Sequence, residues 1–480
     1  MSLKAKAVKG FAWNSLESLL VRGVSFIISI IIARLVSPEA YGLIGMLTVF
    51  LAISTLFIES GFSRALMQRK NCTQTDFSTV FYFNLVISLL IYLILYLVAP
   101  QIAKFYNTPE LISLFRVLSL QFIVTALVVV HRAKLMIDID FQTLAKVNVI
   151  AVFISGAISL YMAYHGYGVW ALVAQTLSLT IVTTVMIWFS MKWTPSWEFS
   201  MQAFREMFGY GSKILIPSLY STVLNNIYTI VIGKWFQSRI LGYYTRANTL
   251  AEMSAGTINA IVTNVTFPLL TSIQDDREKL VSVYSRLLSM TAFVVFPAMT
   301  LFAVVSEPFV RFFLTEKWLP AVVLLQWLCM AKLFMPISAL NLNLLNAVGR
   351  SDLFLKTDLC KLPLIILTMV ITLPMGTKAV VIGSFINTFI SYFINTYMPG
   401  RLYAYGAIKQ IKDCFSIIIC TVVMAALSYA SMRLFSSPLI QLIVAVSVAA
   451  IAYLLTAFLL KVKELDELKY VFNKIVKKQR

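Results

Sequence analysis

Runs of about twenty apolar residues recur along the whole chain, separated by short polar interruptions, and each run is long enough at ~1.5 Å per residue to cross a ~30 Å hydrocarbon core as a helix. They fall at about 10–35, 42–63, 79–99, 111–130, 147–164, 168–190, 209–236, 242–272, 287–305, 319–342, 359–375, 379–399, 414–432 and 437–460. The pattern predicts an all-α polytopic membrane protein of about 14 transmembrane helices. The closely spaced pairs around His165 and Lys378 leave room for a single re-entrant element in place of two helices. No loop is long enough to hold a soluble catalytic or nucleotide-binding domain, and G-x-x-x-x-G-K-[ST] does not occur.

Within several runs the polar residues are not scattered. At ~100° per residue, Asn14, Ser18, Arg22, Ser25 and Ser29 share one stripe of the first helix, away from Phe11, Leu19, Phe26 and Ile30. Arg22 lies near the middle of that helix, and an arginine at the bilayer centre costs roughly 2.5 to 3.5 kcal/mol on insertion scales unless it faces water or a partner. Glu17 is five residues away, a spacing that does not align the two side chains on one helix face. Helix eight carries a second stripe of Thr245, Thr249, Glu252, Gly256, Asn259 and Thr263, with Arg246 about 100° around from its head. Lys332, in helix ten, is expected at about the depth of Arg22. Serine and threonine in such stripes also serve helix packing, so the charged members are the better markers of a cavity.

The pattern repeats at an offset of 200 residues. Ser18, Arg22, Ser25 and Ser29 map onto Ser218, Thr222, Asn225 and Thr229, while Asn14 maps onto Ile214 and breaks the match. Tyr41-Gly42 answers Leu241-Gly242, and Lys104-Phe105-Tyr106 answers Arg311-Phe312-Phe313, each just after a proline. Pro217 is expected to kink helix seven. With six spans in each half, the halves share one orientation, as in transporters built from parallel repeats whose substrate sites lie between them. The expected divisions are an N-terminal lobe at 1–206, a C-terminal lobe at 207–405, and two further helices with a basic tail at 406–480.

Composition sharpens this reading. Hydrophobic residues make up 59% and charged residues 13% of the 480, too little polar surface for a soluble fold. The net charge of +19 reads as positive-inside retention rather than nucleic-acid binding. With the N-terminus inside, 28 of the 40 Lys and Arg residues fall on cytoplasmic segments and ten outside, so both termini are expected in the cytoplasm. The first apolar run has no small-residue cleavage site and is expected to stay as a helix. Five cysteines without C-x-x-C spacing and two distant histidines indicate neither a metal site nor a disulfide framework. Residues 461–480 place Leu465, Leu468, Phe472 and Ile475 at helical spacing among basic residues, as a helix lying on an anionic leaflet would.

Arg22, Arg246 and Lys332 against Glu252 make a net cationic intramembrane set, and a guanidinium grips phosphate oxygens through its planar fork. A lipid-linked phosphate or diphosphate is the expected ligand, with Asn14, Ser18 and Asn225 as further polar contacts and Glu252 and Glu17 as candidates for coupling to H+ or Na+. No other cofactor is expected. Trp13, the run Ala33-Arg34-Leu35-Val36-Ser37-Pro38-Glu39-Ala40-Tyr41-Gly42, then Glu59-Ser60-Gly61-Phe62 with Ala65-Leu66, resemble the N-terminal pattern of Wzx-type polysaccharide flippases and polysaccharide exporters. Leu241-Gly242-Tyr243-Tyr244-Thr245-Arg246-Ala247 and Phe267-Pro268-Leu269-Leu270 extend the likeness. The resemblance implies the multidrug/oligosaccharidyl-lipid/polysaccharide exporter superfamily, with two six-helix lobes plus two helices. It also implies transport of an undecaprenyl-diphosphate-linked oligosaccharide across a bacterial cytoplasmic membrane for surface polysaccharide synthesis, with polysaccharide polymerase machinery as a partner. Two other readings differ in what they require. A MATE-type drug or metabolite pump would want an anionic cavity, and a membrane polymerase or ligase would want a long external loop with acid/base residues.

Overall fold

Leu89, Leu90, Leu93, Ile94 and Leu97 all stand outward from one helix, as side chains do when their surroundings are lipid rather than water. That helix belongs to a computed structural model, which describes residues 3–59, 66, 69 and 72–467, with side chains undescribed at 3–12, 14–16, 19, 59 and 210–214. The helices of membrane-spanning length are α1 (Leu3–Leu35), α2 (Pro38–Glu59), α3 (Gln74–Tyr106), α4 (Leu111–Ile137), α5 (Phe141–Tyr164), α6 (Val169–Ser190) and α7 (Met201–Trp235). They continue with α8 (Ser238–Ser272), α9 (Arg277–Val304), α10 (Pro320–Ala347), α11 (Ser351–Met375), α12 (Thr377–Tyr403), α13 (Phe415–Met432) and α14 (Pro438–Leu459). Twelve stretches among the described residues are apolar and long enough to cross a membrane, and the 33-residue α1 and the more polar 35-residue α8 are consistent with the expected fourteen. No strand occurs among the described residues.

Most helices run past the apolar stretches that signal them. The apolar run at 79–99 lies inside a helix of 33 residues, because backbone hydrogen bonding continues once the chain leaves the hydrocarbon. At its start Thr73 and Asp76 form a reciprocal cap, Asp76 N donating to Thr73 Oγ1 at 3.2 Å and Thr73 N to Asp76 Oδ2 at 2.9 Å. The two doubtful pairs are separate helices. Gly166 and Gly168, at φ of 80° and 54°, turn the chain between α5 and α6, and Gly376 at 96° turns it between α11 and α12. Prolines set the breaks. Pro336 has no N–H to give to the carbonyl of Lys332, and α10 divides at Leu333 into Pro320–Lys332 and Phe334–Ala347. Helix α7 is continuous through Pro217.

The chain packs as two units, Met1–Gly242 and Tyr243–Arg480. In the first, α3 lies on α4, α5 on α6 and α1 on α5, while α7 packs on α2 and α3. Helix α5 approaches α1 at Gly156, where an added Cβ would stand 2.2 Å from Ile28 Cδ1. The starts of α2 and α8 meet more tightly still. A Cβ on Gly42 would lie 1.8 Å from the carbonyl oxygen of Ser238, and one on Gly242 would lie 1.8 Å from that of Pro38. Arg239 and Glu39, themselves 200 apart, pair beside this contact at 3.1 Å. In the second unit α10 packs on α12, α13 on α14 and α9 on α13, around a core containing Leu288, Tyr284, Leu340 and Tyr453.

Candidate functional site

On α1 the apolar face turns inward and the polar stripe does not. Ile28 and Ile32 are buried against α5, while Ser18 and Arg22 are exposed. Glu17 is half-buried and accepts a hydrogen bond from Asn148 Nδ2 of α5 at 2.5 Å, so α5 supplies a polar partner that spacing within α1 did not offer. The side chain of Asn14 lies outside the described residues, as do Ser60-Gly61-Phe62, the Glu59 side chain and the tail helix beyond residue 467. On α7, Asn225 is exposed and reaches Ser221 Oγ at 3.4 Å, and Asn226 donates to the carbonyl of Thr222 at 2.9 Å.

The charged residues of the second unit are placed differently from one another. Arg246 is buried near the start of α8. Lys332, at the break in α10, forms an ion pair with Glu252 of α8. Glu252 is nearly half exposed and Lys332 largely covered, and an added Cβ on Gly256 would lie 2.9 Å from Glu252 Oε1, so a side chain there would make the carboxylate shift. The cation expected to meet substrate and the carboxylate expected to couple to an ion are thus paired with each other in this conformation.

Two cavities were not anticipated from the sequence. In the second unit a space of about 750 Å³ opens between α9, α10, α12 and α13, walled by Phe296, Met330, Phe334, Phe389, Val422 and Ala426 among others, and its lining is almost entirely apolar. One end is closed by a buried polar network. Tyr284 Oη donates to Asn341 Oδ1 at 2.6 Å, and Gln410 Nε2 donates to Asn341 Oδ1 at 3.0 Å and to the carbonyl of Tyr405 at 3.2 Å. Cys414 also lines the chamber, one turn beyond Gln410. The signal was present in part: Phe385, Phe389 and Phe393 recur at helical spacing on α12. In the first unit a smaller space of about 220 Å³ lies between α2, α4 and α6, and its lining includes Thr55, Gln121, Thr125, Arg132, Thr180 and Thr183. Arg132 reads as a loop residue when the fourth span stops at 130, but α4 continues to Ile137 and carries it into the bundle.

The sequence pattern of a family described as "Polysaccharide biosynthesis protein" matches residues 31–323. The chain belongs to this family. It is 26% identical to the lipopolysaccharide biosynthesis protein WzxC of Escherichia coli (strain K12), with 82% of each chain covered. It is 25% identical to the teichuronic acid biosynthesis protein TuaB of Bacillus subtilis (strain 168), with 74% of each covered. Among solved structures it shares its fold with an inward closed lipid II flippase MurJ at a TM-score of 0.73 and 18% identity, covering 93% of this chain and 99% of that one. An inward-facing multidrug MATE transporter gives 0.62 at 17% identity over 82% and 97%. The fold of this family member is therefore the one that these two solved structures share.

Proposed function

We propose that the protein is a flippase that moves a lipid-linked oligosaccharide of the undecaprenyl-diphosphate type across a bacterial cytoplasmic membrane for surface polysaccharide biosynthesis. The observation that carries this reading is the pairing, in one membrane-spanning chain, of intramembrane cations with an almost wholly apolar 750 Å³ chamber. An amphiphile with an anionic head and a long hydrocarbon tail uses both, whereas a compact cationic drug uses neither. The family and the named relatives support the same substrate class, and the MATE fold is the more distant of the two structural likenesses.

Transport runs by alternating access, with Arg22 on the diphosphate and with H+ or Na+ as the coupling ion. When Glu252 takes up the ion, Lys332 loses its partner and its charge becomes available to the head group; when the ion leaves, the pair re-forms and the anion is released. Both termini and the loop at 273–276 lie in the cytoplasm, and polymerase machinery receives the product on the other side. Surface polymer in a flippase-deleted strain tests the reading at matched membrane expression. Arg22→Ala should abolish export and Arg22→Lys should recover part of it, because an ammonium lacks the bidentate fork. Normal polymer with Arg22→Ala would refute the role of Arg22. Glu252→Gln should remove the response to an imposed gradient, and an unchanged response would refute the coupling scheme.

A further inference from the structure

Within the first unit, the C-terminal end of α7 is fastened to α2 and α3 by contacts that do not all favour the same state. The N–H groups that follow α3, on Asn107 and Thr108, turn back to the carbonyls of Ala103 and Lys104 and leave the carbonyl of Phe105 to another donor. Lys234, the last residue but one of α7, donates its ammonium to that carbonyl and stands 4.6 Å from the centre of the Phe105 ring. A cation at this place also meets the negative end of the α3 dipole. Beside it Arg239 pairs with Glu39 at 3.1 Å, and the backbones at Gly42 and Gly242 pass close to Ser238 and Pro38. Helix α7 opens the second sequence repeat and α2 and α3 belong to the first, so the two repeats meet here.

One group at the same junction works against closure. Tyr106 is buried, and its hydroxyl has no hydrogen-bond partner. Phe50 meets its ring edge to face at 6.3 Å, and a Cβ on Gly233 of α7 would stand 3.1 Å from its Cε1, so α7 lies directly against the ring. A phenol covered in this way has lost water and gained no acceptor, and that cost is recovered once the covering helix lifts.

We propose that the end of α7 is a clasp with a built-in release: Lys234, Arg239 and the two glycine contacts hold it shut, and the stranded Tyr106 hydroxyl lowers the cost of opening it. The proposal rests on the flippase reading and adds the device that lets the repeats part at one end. The test follows backbone hydrogen–deuterium exchange by mass spectrometry in purified full-length protein in lipid nanodiscs. Three stretches are compared: 103–108 at the end of α3, 230–237 at the end of α7, and 76–82 at the start of α3 as a reference. Opening exposes the first two together, and their exchange follows the open population. Tyr106→Phe removes the hydroxyl and keeps the ring, and should slow both on the order of tenfold while leaving the reference unchanged. Lys234→Met keeps the length of the side chain without its charge, and should speed both severalfold. Unchanged or faster exchange in Tyr106→Phe would overturn the release, as would equal slowing of the reference, which would make the hydroxyl a matter of general stability. Unchanged exchange in Lys234→Met would overturn the clasp. Surface polymer in a flippase-deleted strain keeps the two readings apart. Wild-type protein that fails to restore polymer would overturn the flippase reading and leave the exchange results standing. With polymer restored, Tyr106→Phe should slow its appearance, and an unchanged rate would sever the clasp from transport.

Discussion

The two cavities lie in two packed units of one chain and differ in nearly every chemical respect. The chamber among α9, α10, α12 and α13 is three times larger and lined mostly by phenylalanine, aliphatic and small residues; of its polar residues, Gln410 belongs to the Tyr284–Asn341–Gln410 network, and Tyr392 and Thr421 give their hydroxyl protons to the carbonyls of Ala407 and Ile417. The space among α2, α4 and α6 is small, and threonines, Gln121 and Arg132 make up much of its lining. A cavity with little polar lining holds hydrocarbon without penalty, and one lined largely by polar groups suits a polar guest. The two spaces therefore differ in the kind of guest that each can stabilise.

Filling the apolar chamber should have the largest effect. Ala426→Trp displaces about one isoprene unit, some 3 kcal/mol of hydrocarbon burial, and should weaken an undecaprenyl-linked substrate about 100-fold while sparing the same glycan on a two-isoprene carrier. Equal loss for both carriers would mean that the chamber is only a packing defect. Next in size, Gln410→Ala takes one buried donor from Asn341 Oδ1 and from the Tyr405 carbonyl and should lower folding stability by about 2 kcal/mol, read as a reduced melting temperature in detergent. An unchanged melting temperature would show that the network does not hold the end of the chamber. The smallest effect belongs to Thr55→Val in the small space, within about 0.5 kcal/mol of folding stability as read by melting temperature, because that hydroxyl gives its proton to the carbonyl of Leu51 one turn back in its own helix.

How much of this was legible in the sequence depended on whether the signal was local. The helices were, since a run of twenty apolar residues has few other fates, and so were the charged positions, since Arg22, Glu252 and Lys332 stand out against apolar neighbours. The break in α10 is written in Pro336, four residues after Lys332. The pairing of Lys332 with Glu252 was not legible, because 80 residues separate them and two helices must first pack. Glu17 is the same case, its partner Asn148 being 131 residues away. Arg132 was hidden by a boundary: hydropathy falls off before the helix ends, so a residue inside the bundle was counted with a loop. The threonines around it were hidden by dilution, one per turn among leucines and valines on three separate helices.

The contact of Gly42 with Ser238 and of Gly242 with Pro38 joins each residue to the repeat-mate of its own neighbour. Its two halves are therefore copies of one interaction, the arrangement that an isologous dimer interface has by symmetry. A side chain added at either glycine wedges apart the same pair of backbones, so the two positions behave as one lock with two keyholes. Damage at one leaves little for the other to lose, and no change at the second can repair the first.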